Sequence, residues 1–158
     1  MDQKINENRS DKVDIEALLL EGHTVRFKPQ GYSMYPVFVP GRDEAVVVPV
    51  SADTIKKGDV VLYRRQQSIL VLHRVWKRNR SGFYMVGDNQ VETEGPLSPD
   101  QIRGKLVALV RKGKEIPVTN PIYRFLTGTW LFLRPIRPIF QKSAAWIKRL
   151  FTSSRSGS

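Results

Sequence analysis

The chain contains no cysteine, which excludes a disulfide framework, thiolate metal sites and a cysteine nucleophile together. It has only two histidines, His23 and His73, and neither stands at ligand spacing from a carboxylate cluster, so neither a metal nor a cofactor is expected. No glycine-rich phosphate loop is present. No run approaches the roughly 18 consecutive apolar residues that a spanning helix needs. Residues 1–14 are polar and charged, which argues against a secretory signal there. Acidic residues are missing after Glu115, where seven Lys or Arg residues follow without a single counter-charge.

What remains is 158 residues, 41% hydrophobic and 26% charged, enough for one domain with a real core. Residues 1–12 read as a mobile polar lead-in. Ser10 or Asp11 is expected to cap a short helix over residues 13–21, with Ile15, Leu18 and Leu19 on one face and Gly22 as its stop. Short β-branched runs separated by Gly, Pro and Asp turns then predict strands at residues 24–27, 45–50, 60–63, 69–75, 83–86 and 102–111. The expected fold of residues 13–115 is therefore mainly β: a coiled, antiparallel, barrel-like sheet with a short N-terminal helix.

Residues 116–158 have a different texture. Tyr123, Phe125, Trp130, Phe132, Phe140, Trp146 and Phe151 interleave with Arg124, Arg134, Arg137, Lys142, Lys148, Arg149 and Arg155. Residues 138–151 show roughly helical apolar spacing. Phosphate binding does not need so many aromatic rings, so nucleic acid is the disfavoured partner. Cations with Trp and Phe suit an amphipathic helical appendage lying on an anionic membrane surface; the competing reading is a tail packed on the β domain.

The most informative hexapeptide is Gly31-Tyr32-Ser33-Met34-Tyr35-Pro36. A glycine and a proline pin the backbone on both sides of one serine, which suits a fixed nucleophilic hydroxyl; the bland alternative is ordinary turn chemistry. Downstream, in order, come Lys57-Gly58-Asp59-Val60-Val61-Leu62-Tyr63, Leu72-His73-Arg74-Val75, Gly87-Asp88-Asn89 and a segment from Gly95-Pro96 to Gly104. In this order the five boxes resemble the type I signal peptidases and their relatives, the self-cleaving repressor domains, over roughly residues 25–110.

The resemblance implies a peptidase fold and a serine endopeptidase that cuts leader or signal segments, with small residues at the cleavage site. It implies Ser33 as nucleophile and His73 as general base, as in the endoplasmic-reticulum and archaeal branch, where most bacterial members place Lys. A neutral imidazole is a competent base near pH 7, so an activity step near the ordinary histidine value of about 6.5 is expected. The resemblance places the acid that orients His73 at Asp88 or just beyond. That leaves Glu94 open beside Asp88 and Glu92, with Asp88 also readable as a structural turn residue. With no spanning helix in view, the expected location is peripheral on a membrane, with the cytoplasmic face and the exported side both open. A non-catalytic peptide-binding module and a self-cleaving regulator are the alternatives.

Overall fold

A computed structural model describes residues 14–66 and 69–132. Helix α1 (Ile15–Leu20) is capped by Asp14, whose carboxylate accepts the N–H groups of Glu16 and Ala17, each at 3.1 Å. The cap is thus Asp14 instead of Ser10 or Asp11, because the helix starts two residues later than expected. Leu19 is buried, with Ile15 and Leu18 packed beside it, and Glu16 ties the helix to Arg64 and Arg103.

Eight strands follow: β1 (Val25–Phe27), β2 (Asp43–Val48), β3 (Val60–Arg65), β4 (Ile69–Asn79), β5 (Gly82–Val86), β6 (Glu94–Leu97), β7 (Ile102–Arg111) and β8 (Lys114–Pro117). They form one antiparallel sheet in the order β1-β2-β7-β3-β4-β5-β6, with β8 paired to β7. The order does not close, so the molecule is mainly β but is not the barrel expected from the strand spacing. Its outermost strands explain this. β1 is three residues long with Pro29 just beyond it, and β6 carries Pro96, which has no N–H to donate to a ladder.

β7 is the spine. One edge pairs with β2 along residues 105–111; the other pairs first with β3 and then, past the Lys112-Gly113 turn, with β8. Both turn residues have positive φ (50° and 76°), which a two-residue hairpin of the I′ kind demands and which glycine supplies at least cost. β3 is buried on both faces: Val60 and Leu62 point into one apolar cluster, Val61 and Tyr63 into a second. Such a strand reads as a continuous apolar run, as residues 60–63 do.

Helix α2 (Pro121–Phe132) covers part of the first cluster with Tyr123, and Thr127 is buried behind it. Its outer face leaves Ile122, Phe125, Leu126 and Phe132 exposed by 60–82%. The expected boundary after residue 115 falls within β8. The segment 116–132 is therefore joined to the sheet by strand pairing and by Tyr123, while the helical spacing of residues 138–151 lies outside the described residues. No described helix is long and apolar enough to cross a membrane.

Candidate active site

Ser33 lies in the loop between β1 and β2, and three devices hold that loop. Met34 and Phe38, linked by a 2.9 Å backbone hydrogen bond, are 4% and 3% exposed in the first cluster. Burial of each contributes about 1.5–3 kcal/mol. The neighbouring Tyr32 and Tyr35 stay exposed, so the anchors grip the loop from below and leave Ser33 half-buried between them.

The second device is the turn after β5. The Asn89 N–H donates to the Ser33 carbonyl at 2.7 Å, and a Cβ placed on Gly87 would stand 2.5 Å from the same oxygen. Only glycine permits that approach.

The third device is Asp43, fully buried at the start of β2. It accepts the Val39 N–H at 2.9 Å and bidentate bonds from Arg42 and Arg111, and Arg111 also holds the Val37 carbonyl. Burial alone would raise its pKa, but these donors more than offset it and pull the carboxyl well below the usual range. Among the described residues, the Ser33 hydroxyl and backbone N–H have no hydrogen-bond partner.

His73 stands on β4, opposite Val61 of β3. Ser33 and His73 line one cleft of about 410 Å³, with Phe27, Met34, Phe38, Leu62 and Leu72 forming much of its apolar wall. All five residues 69–73 line it. Successive strand side chains point to opposite faces, so a consecutive run means that the cleft follows the strand's edge. The pairing agrees: β4 meets β5 only from Arg74 onward, and among the described residues no strand covers that edge before it. The Ser33 hydroxyl and the imidazole are not hydrogen-bonded to each other.

The ring's one hydrogen-bond partner among the described residues is Tyr63, whose Oη is 3.1 Å from Nδ1. The same hydroxyl donates to Glu94 Oε2 at 2.7 Å, and Arg65 grips Glu94 through both carboxylate oxygens, with Nε–Oε1 at 2.7 Å. Burial and then the Arg65 cation push His73 from 6.5 down to about 4; the charges of Glu94 and Asp88 oppose this only in part. The ring is therefore neutral at pH 7, and its own titration lies near 4, below the ordinary value of 6.5.

Of the three carboxylates considered as its orienting acid, none bonds the ring directly. Asp88 is 1% exposed and both its oxygens are taken by Arg74, at 2.8 and 2.7 Å. The structural reading of this turn expected donors from backbone N–H groups; the buried guanidinium of Arg74 is a donor to both oxygens. Glu92 is exposed, and Glu94 reaches the ring only through Tyr63. Trp130 of α2 adds a clasp, its indole N–H donating to the Asp88 carbonyl at 2.7 Å. His23 is a surface residue, 3.7 Å from Glu21. Among the described residues no three His, Asp or Glu side chains converge as metal ligands would.

Sequence reasoning gave no role in the site to Tyr63, Arg65, Arg74, Asp43 or Trp130, and read Trp130 as one of the membrane-surface aromatics. For Tyr63 there was a signal: two-residue alternation puts it on the face of Val61, and the box containing it was already singled out. Compared with protein-family models, with curated proteins and with solved structures, the chain matches none.

Proposed function

We propose that this chain is a serine endopeptidase of the signal-peptidase type, cutting extended polypeptide leaders by a Ser33–His73 mechanism. The observation that carries the reading is the shared cleft: a pinned serine, its hydroxyl without a partner among the described residues, and a neutral imidazole open onto it from different elements. The edge of β4 beside them, which no described strand covers before Arg74, suits a substrate that binds as an added strand through main-chain hydrogen bonds. Ser33 Oγ attacks the scissile carbonyl, and His73 takes the hydroxyl proton and returns it to the leaving amine. The Ser33 N–H, which has no partner among the described residues, is a donor for the oxyanion. The five motif boxes resembling type I signal peptidases support the same reading, and that resemblance supplies the preference for small residues at the cut.

The test is covalent trapping. After incubation with a fluorophosphonate, the intact mass of the wild type should rise by one adduct. Ser33→Ala should take none and melt at the same temperature. Equal labelling of both proteins, or none of the wild type, overturns the reading. A binding module would stay unlabelled yet retain extended peptides, and a self-cleaving regulator would fragment in the control.

The outer face of α2 supports a peripheral attachment to an anionic membrane. Ile122, Phe125, Leu126 and Phe132 form an apolar face in the acid-free part of the chain. Phe125→Ser with Phe132→Ser, which leaves Tyr123 and Trp130 in place, should sharply reduce co-sedimentation with phosphatidylserine vesicles. Undiminished sedimentation of that variant, or none by the wild type, removes the proposal.

A further inference from the structure

We propose that Tyr63 is the positioning residue of the His73 base, its hydroxyl selecting the tautomer in which Nε2 is the basic nitrogen. The assignment rests on the Ser33–His73 reading and names the group that does what a carboxylate does in an ordinary triad.

The argument is a count of hydrogens. A phenol has one hydrogen to give and lone pairs to accept with. Tyr63 Oη lies 2.7 Å from Glu94 Oε2 and 3.1 Å from His73 Nδ1. Burial works against ionisation of Glu94, but the bonds from Arg65 and Tyr63 and the Arg65 charge win, so its pKa lies below the usual value. An ionised carboxylate only accepts. The phenolic hydrogen therefore points to Glu94, since otherwise two lone-pair-bearing oxygens would face each other at 2.7 Å. Toward His73 the oxygen can then only accept, and Nδ1 must carry the ring's hydrogen. In the neutral ring this leaves Nε2 as the sole basic nitrogen.

The strand register makes the contact possible. Val61 pairs with His73, so Tyr63 is the diagonal neighbour on the same face, where an aromatic ring can reach; the two ring centroids are 6.0 Å apart. Burial and Glu94 hold the phenol above its ordinary pKa, so Tyr63 keeps its proton throughout. It passes on orientation and a dipole. When His73 takes the serine's proton, the Nδ1–H bond to Oη strengthens, its acceptor polarised by Glu94 and Arg65 behind it.

The experiment uses the full chain with ¹⁵N-labelled histidine. Ring ¹⁵N–¹H correlations of the wild type at pH 7 should show His73 protonated at Nδ1; an Nε2–H ring overturns the proposal with no variant needed. Tyr63→Phe keeps the ring and volume. It should lose the Nδ1–H preference and slow fluorophosphonate labelling of Ser33 roughly 10²-fold, the scale of a general base's contribution. An unchanged tautomer with unchanged labelling overturns the proposal. So does slower labelling with the tautomer unchanged and the melt lowered, which would make Tyr63 packing alone. If the tautomer behaves as stated but the wild type does not label, the peptidase reading fails and the assignment of His73 to Tyr63 stands.

Discussion

Two arginine–carboxylate pairs are tied to the Ser33 and His73 elements, built from the same chemistry and left in different states. Arg74 and Asp88 are 3% and 1% exposed, they match bidentately, and the third arm of Arg74 ends on the Gly58 carbonyl. Arg65 and Glu94 are also bidentate, but their side chains are 34% and 28% exposed, and Glu94 has accepting capacity left over for Tyr63. Adjacent residues of β4 serve the two: Arg74 belongs to the first pair, and His73 ends the chain of bonds that starts at the second. A pair sealed from water and fully matched fixes the turn that holds Ser33. A pair left open can adjust a neighbour's charge and orientation. Burial and spare lone pairs separate the two roles.

The largest expected effect breaks the sealed pair. Asp88→Ala leaves a buried guanidinium without its counter-charge, which should cost about 3–5 kcal/mol in urea unfolding. Glu94→Gln in the same assay should cost no more than about 1 kcal/mol, because water reaches Arg65. Equal losses would erase the distinction between the pairs.

A smaller effect sharpens it. Removing the Arg65 cation by Arg65→Gln should raise the His73 pKa from about 4 toward 6.5, by on the order of one unit, followed by NMR titration of the ring. The sign for stability follows. The unfolded chain binds this proton near 6.5 and the folded one near 4, so stability falls as pH drops between those values and the contribution is complete above 6.5. The full difference is on the order of 3 kcal/mol, and Arg65→Gln should shrink it. A downward move of the titration would show that Arg65 does not act on the ring through its charge.

Legibility in the sequence followed the range of the interactions. β7 matches the run read at residues 102–111, because its pattern is local and strongly apolar. β6 was missed because Glu94-Gly95-Pro96-Leu97 carries two turn-forming residues, and it is a strand only because β5 offers it an edge. β8 was missed because Lys112-Gly113 reads equally as an end and as a hairpin. Motif order could suggest Ser33 and His73, and both do line one cleft. The bonds around them could not be suggested that way. Tyr63 meets Glu94 and Arg74 meets Asp88 only once strand register is set, and alternation reveals which face a side chain takes but not its partner across the sheet.

The clasp from Trp130 to the Asp88 carbonyl has a mechanical consequence. Tension applied at the C-terminal end of α2 arrives at Trp130, crosses one hydrogen bond to residue 88, passes along the backbone to Asn89, and crosses a second to the Ser33 carbonyl. Both bonds are 2.7 Å long, and the buried Arg74–Asp88 pair stiffens the link between them. The outer end of the helix and the loop of the serine thus lie on one short load path. A tether on that helix would pull on the site and not merely on the domain.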